Sequence, residues 1–343
     1  MSRFRYLPPP VKRFLLHAYT LGLTRIVGAI TGIVAPVVGF MARTGAGTDA
    51  CLRHGSLPLP VHYYSPVPDI KDLEQRHIWD HRSDLVGIDF RPDQQLSLLK
   101  KLGQDFGHEC DWPSDPTRDP YQFYTENSSF SYGCAASAHC MLRHFKPRRI
   151  IEIGSGNSSL VLANALLLNA QDSGEDVEYV VVDPYPRPMI AKGLPGLTQV
   201  IKQRVELLDV TYFERLVEND VLFIDSGHTV RIGSDVNYLF LDVLPRLAPG
   251  VLVHVHDIGL PYEYPKAYAT NPAFRMLWTE AYLLQAFLCL NNQFEVLLAM
   301  TYLLTEHHQA FRAAFPCYDP SRHRSMSGSF WMRRKPVGEE YLV

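Results

Sequence analysis

Two apolar runs in the middle of the chain end on side chains that can move protons or bind metal ions. The run DVLFID finishes on Asp225, and His228 follows three residues later. The run GVLVHVHD finishes on His256 and Asp257. Histidine titrates near pH 7 and can take a proton from a hydroxyl group, while carboxylates can hold a divalent cation. These residue types predict acid–base or metal-assisted chemistry if the two runs lie side by side.

A glycine-rich turn stands earlier in the same region, after the short apolar run RIIEI. That run suits a strand buried on both faces of a parallel sheet. The turn and the residues after it are Gly154, Ser155, Gly156, Asn157 and Ser158. Glycine adopts backbone angles that other residues resist, and Asn157 or Ser158 is expected to cap an apolar helix over 160–168. Such a unit presents free N–H groups at the carboxyl edge of a sheet, where open α/β folds bind nucleotide-like ligands.

Strand-like and helix-like patterns alternate around this loop. The predicted strands cover 149–153, 178–183, 197–203, 220–225, 250–257, 294–302 and 329–334. Predicted helices cover 131–145, 234–247 and 278–290, and the second of these places its apolar residues on one side. This alternation predicts an α/β fold with a Rossmann-like, doubly wound, mostly parallel seven-stranded sheet.

An acid ends the second predicted strand. The carboxylate of Asp183 can accept both hydroxyls of a ribose, a requirement that dinucleotide and S-adenosylmethionine sites share. The alternative is that Asp183 caps a helix ahead of Pro184. Tyr185 is placed to line an adenine ring. These residues predict a nucleoside ligand without choosing between the two cofactors.

The loop EIGSGNS resembles motif I of the class I S-adenosylmethionine-dependent methyltransferases, written E/D-x-G-x-G-x-G, with Ser158 in place of the last glycine. A dinucleotide fold prefers G-x-G-x-x-G, and its third glycine is here Ser159. FIDSGH resembles the D-G-S-H segment of the macrocin-type O-methyltransferases, with Ser226 and Gly227 exchanged. Residues 63–294 also resemble a group of bacterial methyltransferase-domain proteins that share YYSP, FIDSGH and an acid-aromatic-Leu-Leu segment.

This resemblance implies a fold and a cofactor site. The last strand is expected to insert antiparallel beside the fifth. S-adenosylmethionine is expected to bind at Glu152, Gly154, Ser155, Gly156, Asn157, Ser158, Asp183 and Tyr185.

The resemblance also implies catalytic roles. His228 is expected to be the general base, with Asp225 beside it. Asp225, His256 and Asp257 are expected to hold Mg²⁺ or another divalent cation that orients and acidifies a hydroxyl group. The alternative for His256 is that it only satisfies hydrogen bonds in the core, which is our expectation for His254.

The combined prediction is a methyltransferase that acts on a hydroxyl of a sugar, a glycolipid or another small molecule, because proteins of this kind often accompany sugar and surface-polysaccharide genes. Two alternatives stay open. One is an NAD(P)-dependent sugar oxidoreductase or epimerase on the same kind of sheet, although the third glycine of its motif is missing. The other is a non-catalytic, membrane-associated module that keeps only the fold.

The rest of the chain limits its partners and its location. The net charge of −3 over 343 residues gives no electrostatic reason to expect nucleic acid. We divide the chain into an apolar N-terminal segment (1–43), an extension or lid (44–130) and the methyltransferase domain (131–343). Residues 14–42 are expected to lie in a membrane interface or to pack on the domain, and a spanning anchor is the alternative. The predicted location is the cytoplasm, with association to the inner membrane.

Overall fold

A seven-stranded mixed sheet forms the centre of the computed structural model. The structure describes residues 30–32, 34–271, 275–323 and 326–335. The strands are β1 (Arg149–Ile153), β2 (Glu178–Val182), β3 (Gln199–Ile201), β4 (Val221–Ile224), β5 (Leu252–Val255), β6 (Phe294–Ala299) and β7 (Phe330–Arg334). Their order is β3-β2-β1-β4-β5-β7-β6, with β1 to β5 parallel and β7 antiparallel between β5 and β6. The predicted fold class is confirmed, including the antiparallel last strand beside the fifth.

The strand order creates a crevice at the carboxyl edge of the sheet. β1 pairs with β2 on one side and with β4 on the other. The connection after β1 leads to β2 and the connection after β4 leads to β5, so the two connections run toward opposite edges of the sheet. All four residues of β4 and all four of β5 are buried, because helices cover both faces of a parallel sheet. Ligands bind at such a switch point in open α/β folds. The glycine loop follows β1, and Asp225 follows β4.

Helices and short helical turns connect and cover the strands. The α-helices are α1 (residues 34–44), α2 (Thr48–Arg53), α3 (Ile70–Gln75), α4 (Pro92–Phe106), α5 (Tyr132–Phe145), α6 (Asn157–Ser173), α7 (Pro188–Ala191), α8 (Asp235–Asn237), α9 (Lys266–Thr270), α10 (Glu280–Leu288), α11 (Met300–Glu306) and α12 (His308–Ala314). A π-helix (Tyr238–Val243) and a 3₁₀ turn (Leu244–Arg246) continue α8, so 235–246 is helical, close to the predicted 234–247. The further 3₁₀ turns are Ile78–Asp80, Gly107–Glu109, Val205–Leu207 and Val210–Phe213.

Two local predictions were wrong. The sixth strand ends at Ala299 and not at residue 302, because the hydroxyl of Thr301 donates to the carbonyls of Ile258 and Ser327 and the chain turns into α11. Neither Asn157 nor Ser158 caps α6, since both lie inside its first turn. The Gly156 N–H donates instead to the hydroxyl of Ser159 at 3.1 Å. The side chain of Asn157 contacts Asn127 and Ser129 instead, and the hydroxyl of Ser158 donates to Glu152.

The chain forms two compact units, Met1–His77 and Ile78–Val343. Residues 78–130, which we assigned to the extension, therefore lie in the same unit as the sheet. There Trp112 packs its ring edge against Phe123, at 5.2 Å, and against Tyr132 of α5, at 5.8 Å. This segment anchors aromatic side chains in the core. The three-part division and the lid role remain predictions.

The described part of the first unit contains α1, α2, α3 and connecting loops, and none of these residues is buried. Residues 14–29 and 33 of the predicted membrane segment, like the basic residues before them, lie outside the described part of the chain. From residue 34 to residue 42 that segment is helical. Among the helices that the structure describes, none has both the length and the apolar character needed to cross a bilayer.

Candidate functional site

The loop after β1 is held against the end of β4. Gly154 has φ +82°, and a Cβ atom on it would lie 2.0 Å from the carbonyl oxygen of Asp225. The Gly154 N–H donates to the carbonyl of Val182 at 2.9 Å, which ties the loop to β2 as well. Gly156 is different, because its φ is 177° and a Cβ atom would meet nothing closer than 3.9 Å. Close backbone approach therefore requires glycine at the first position only.

Glu152 lies beneath this loop and does not line the cleft above it. Its side chain is fully buried, and it accepts hydrogen bonds from Ser158 (2.6 Å), Ser159 (2.8 Å) and Tyr179 (2.5 Å). Burial raises the pKa of Glu152 to about 7, although the three hydroxyl donors oppose that shift. The predicted cofactor residue thus orients the loop from behind, and Ser158 belongs to the same buried network.

Asp183 follows β2 and faces the other side of the loop. The hydroxyl of Ser155 donates to its Oδ2 at 2.5 Å, and the Tyr185 N–H donates to its Oδ1 at 2.7 Å. The Tyr185 side chain is 88% exposed. Asp183 is only partly buried, so its remaining lone pairs are open to a ligand. The structure brings together Ser155, Asp183 and Tyr185, three of the residues predicted to bind the cofactor.

A cleft of about 420 Å³ opens between these loops. Its lining includes Gly154, Tyr185 and Asp225 from the prediction and further residues that the sequence analysis missed: Arg204, Val205, Glu206, Ser226, Arg231 and Asp235. The volume falls within the roughly 300–1,000 Å³ of small-molecule sites. Residues 204–206 follow β3, so the rule that ligands bind beyond the carboxyl ends of parallel strands could have found them. A glycine cradle with a neighbouring acid and an apolar valine fits an adenosyl group.

Asn157 contacts the segment before α5 and not the cleft. Its side-chain amide donates to the oxygens of Asn127 (2.9 Å) and Ser129 (2.8 Å). Arg187, after β2, donates to the Asn157 oxygen at 3.2 Å. Asn157 therefore links the start of α6 to residues 127–129 and to the loop after β2. It supports the loop from outside the cleft.

Four side chains converge where β4 and β5 end. One ligand atom each from Asp225, His228, His256 and Asp257 lies within 4.8 Å of the other three. Nε2 of His228 is 3.3 Å from Asp225 and 3.6 Å from Asp257, while Nδ1 of His256 is 3.3 Å from Asp225 and 3.2 Å from Asp257. The pairing of β4 with β5 in parallel register produces this convergence. Asp225 also lines the cleft, so the cluster and the cleft share a side chain.

His254 does not join the cluster. It is fully buried, its ring stacks on Phe223 at 3.8 Å, and Nε2 lies 2.8 Å from the hydroxyl of Ser329. Burial lowers the pKa of His254 well below its ordinary value, so the ring is neutral. Our expectation of a core role for His254 agrees with this placement.

A residue without a predicted role contacts His228 from the far side. Oε2 of Glu280, which is fully buried in the first turn of α10, lies 2.8 Å from Nδ1 of His228. The two residues are 52 positions apart. The acid-aromatic-Leu-Leu segment begins at Glu280, but only tertiary packing shows which side chain it meets. The ring of Trp278 also contacts that of His228, at 4.4 Å between centroids.

The electrostatics of the cluster follow from buried acids beside imidazoles. Burial opposes protonation of His228, but hydrogen bonds and charges from Asp225 and Glu280 outweigh it and raise its pKa to about 10. For His256 too, the neighbouring carboxylates overcome burial and raise the pKa. Burial acts to raise the pKa of Asp225, but the two imidazoles lower it. Positive charge among these carboxylates is therefore strongly favoured.

The donor set fits a metal ion as well as protons. Nδ1 of His256 is buried and has no hydrogen-bond partner, although it points at two carboxylates. An orphaned buried nitrogen is costly, and a cation between it and the carboxylates would satisfy it. The pair of His228 with Glu280 has the form of the carboxylate–histidine contacts that orient metal-bound imidazoles.

Comparisons with known proteins agree with this geometry. The sequence model of a family described as a methyltransferase domain matches residues 151–258, which run from the glycine loop to the end of the cluster. An uncharacterized protein of Archaeoglobus fulgidus is 32% identical over 172 residues, which are 48% of this chain and 76% of that protein. The two chains are members of one family.

A solved structure that matches this chain is the SAH-bound methyltransferase PaMTH1 of Podospora anserina. It is 17% identical, with a TM-score of 0.35, and the match covers 78% of this chain and 95% of that one. At that identity and score the likeness says nothing about what this chain binds. A glycine loop of this kind alone would suit several folds, but a seven-stranded sheet with its last strand antiparallel beside the fifth, together with the family match, suits one. The chain belongs to the class I S-adenosylmethionine-dependent methyltransferases.

Proposed function

We propose that this methyltransferase transfers a methyl group to a hydroxyl oxygen at the cluster of Asp225, His228, His256 and Asp257. One observation carries the proposal. Asp225 lines the cleft beside the glycine loop and also belongs to the cluster, so a cofactor in the cleft and an acceptor at the cluster would be neighbours. Short distances of this kind are what a displacement reaction requires.

Residues of this chain account for cofactor binding as follows. Asp183 accepts the ribose hydroxyls, while Gly154, Ser155 and Gly156 present the backbone of the loop to the ligand. Glu152, Asn157 and Ser158 hold the loop in shape from behind. Tyr185 and Val205 border the adenine end. S-adenosylmethionine supplies an electrophilic methyl group on a positively charged sulfur.

His228 is the general base in this proposal. A neutral alcohol is a poor nucleophile, so its proton must leave as the oxygen attacks, and Nε2 of His228 faces the cluster to receive it. The high pKa of His228 would keep Nε2 protonated in the protein alone. Positive charge near Asp225 and Asp257 lowers that pKa, and both the cofactor sulfonium and a divalent cation bring such charge.

Asp225, His256 and Asp257 are the proposed ligands of a divalent cation that acidifies the acceptor hydroxyl. Mg²⁺ prefers oxygen ligands, whereas imidazoles suit ions such as Zn²⁺ or Fe²⁺ and carboxylates also suit Mn²⁺. The imidazole of His256 thus favours an ion such as Mn²⁺ or Zn²⁺ over Mg²⁺. Titration calorimetry with Mg²⁺, Mn²⁺ and Zn²⁺ tests this. Asp257→Asn should weaken binding of Mn²⁺ or Zn²⁺ at least tenfold, about the cost of one lost ligand contact. If no ion gives a heat of binding, the proposed metal site is refuted.

The proposed acceptor is a hydroxyl of a sugar, a glycolipid or a related small molecule, and nucleic acid is not a proposed partner. Aromatic rings stand next to the cluster, with Trp278 against His228 and Tyr268 at 5.0 Å from Trp278. Sites for small ligands combine such apolar faces with a few polar groups. The aromatic rings support a small-molecule acceptor in general, and the choice of a sugar or glycolipid is carried over from the family resemblance.

Membrane-surface association in the cytoplasm is the proposed location. The first unit exposes apolar and aromatic side chains, among them Val37 (56% exposed), Phe40 (55%), Tyr63 (80%) and Tyr64 (83%). The sequence before α1 is basic, with Arg3, Arg5, Lys12 and Arg13, which would favour an anionic surface. Sedimentation of the full chain with anionic vesicles tests this. Val37→Asp with Phe40→Asp should release the protein, while Val86→Asp, at an exposed site of the second unit, should not.

The decisive experiment on the class of enzyme is calorimetric titration with S-adenosylmethionine and separately with NADH. We expect binding to the first alone. Binding to NADH alone would favour the oxidoreductase, and binding to neither would favour the non-catalytic module. The sheet already weighs against the oxidoreductase, since the dinucleotide fold has six parallel strands and no antiparallel insertion beside the fifth.

A further inference from the structure

We propose that Glu280 is a positioning residue that holds the imidazole of His228 in the orientation needed for catalysis. The proposal rests on the proposed function, because it assigns a partner to the base of that reaction. Glu280 does not line the cleft, and it reaches the reaction only through His228.

His228 occupies a strained backbone position. Its φ is +54°, in the left-handed region that non-glycine residues adopt uncommonly, although histidine does so more often than most. The backbone N–H groups of Thr279 and Glu280 both donate to the His228 carbonyl, at 2.9 and 3.1 Å. The Thr279 hydroxyl accepts from the Val230 N–H at 2.7 Å. The start of α10 therefore holds the peptide of His228 as well as its ring.

Glu280 is more deeply buried than a structural role at a helix start requires. An acid in the first turn favours the helix dipole equally well from the surface, where it keeps its hydration. The Glu280 side chain has no exposed area, and Oε1 has no hydrogen-bond partner. Among the described residues, His228 is the side chain to which its carboxylate is hydrogen-bonded. Burying a carboxylate is expensive, and this single contact is what offsets it.

The contact determines which nitrogen of His228 faces the reaction. Burial raises the pKa of Glu280, and the neighbouring His228 opposes that rise; in its ionised form the carboxylate can only accept, so Nδ1 then donates to Oε2. Nε2 then faces Asp225 and Asp257, on the side of the cluster, and it is the nitrogen that exchanges a proton with the acceptor. Without Glu280 the ring can rotate or take the other tautomer, and the base is then misdirected in part of the molecules.

The chain contains a matched control. Glu109 and His139 form a second, partly buried contact, with 2.7 Å between Oε2 and Nε2, in a network with Arg143. His139 is buried, and its pKa is lowered because burial outweighs the carboxylate. This pair lies outside the cleft and the cluster. Glu109→Gln therefore removes the charge from a comparable pair that has no proposed part in the reaction.

The experiment compares Glu280→Ala, Glu280→Gln and Glu109→Gln by kinetics and by ¹H–¹⁵N NMR of the histidine side chains. We expect Glu280→Ala to lower kcat about 10- to 100-fold, the usual range for an orienting partner, with little change in either KM. Glu280→Gln keeps an amide oxygen that can accept from Nδ1, so it should recover part of the loss. Glu109→Gln should leave kcat within about threefold of the wild type, even if the protein melts earlier.

The NMR spectrum makes the proposal testable before the acceptor is identified. A hydrogen-bonded Nδ1 proton of His228, assigned with His228→Gln, should be present in the wild type and absent in Glu280→Ala. Its persistence in Glu280→Ala, or an unchanged kcat in that variant, would overturn the proposal. Binding of S-adenosylhomocysteine is measured in parallel. If the wild type does not bind S-adenosylhomocysteine, the proposed function is refuted. The Nδ1 signal tests the role of Glu280 independently of that result.

Discussion

Replacing Gly154 by alanine should damage this protein far more than the same change at Gly156. Both residues are glycines of the same sequence motif, and the motif alone gives no reason to expect different effects at the two positions. In the structure a Cβ atom at residue 154 would lie 2.0 Å from the backbone oxygen of Asp225, well inside van der Waals contact. A backbone carbonyl of the sheet cannot rotate away as the end of a long side chain can. Either the loop or the end of β4 must move.

Two costs combine in Gly154→Ala. A non-glycine residue at φ +82° loses roughly 1–2 kcal/mol through clashes of its own backbone. Forcing an extra methyl group into a packed site costs roughly 1–3 kcal/mol more. The free energy of unfolding should therefore fall by about 2–5 kcal/mol. Because Gly154 and Asp225 both line the cleft, affinity for S-adenosylhomocysteine should also fall at least tenfold, or about 1.4 kcal/mol.

Two control variants separate these costs. Gly174, at the end of α6, has φ +72° and open space around its Cβ position, so Gly174→Ala should cost about 1 kcal/mol through the backbone alone. Gly156 has an extended φ and nothing within 3.9 Å, so Gly156→Ala should cost less than about 1 kcal/mol. Urea unfolding followed by circular dichroism measures all three, and calorimetry measures binding. Equal losses at Gly154 and Gly156 would refute the reasoning from close approach.

Three further predictions concern the site and its support. Asp183→Ala should weaken binding of S-adenosylhomocysteine by about 2 kcal/mol or more, because charge-assisted hydrogen bonds to the ribose are lost. Unchanged affinity in calorimetry would show that Asp183 does not bind the cofactor. Folding raises the pKa of Glu152 to about 7 from an ordinary value of 4.5, so its contribution to stability is complete below pH 4.5 and is lost as pH rises through 7. The free energy of unfolding should fall by about 3 kcal/mol over that window. Urea titrations at pH 5 and pH 8 measure this fall, and Glu152→Gln should abolish the part of it that comes from Glu152. A variant with the same pH dependence as the wild type would contradict the prediction. His228→Ala should lower turnover about 10²- to 10⁴-fold with S-adenosylmethionine affinity nearly unchanged, and full turnover in the variant between pH 6 and pH 9 would end its assignment as the base.

Patterns within short stretches of sequence were enough for the seven strands of the second unit and for four of its helices, α5, α6, α8 and α10. Buried strands such as VLFI are apolar over their whole length because both faces are covered, and the turn after β1 needs glycine because of its backbone angles. These are local requirements, so they appear as local runs of residue types. Their spatial order came from the resemblance to a known family, and the structure confirms it. The ends of elements were less certain, as β6 shows, because contacts of Thr301 with distant carbonyls decide where the strand stops.

The roles of single side chains required the tertiary structure. The motif marks Glu152 as an acid near the cofactor, but only packing shows that Tyr179 and two serines enclose it beneath the loop. In the same way, no spacing in the chain links His228 to Glu280, since their contact exists only where α10 returns to the end of β4. Sequence patterns report which residue types a backbone geometry demands. Which acid ends up buried, and against which partner, depends on contacts between residues far apart in the chain, and these form only when the sheet and its helices pack together.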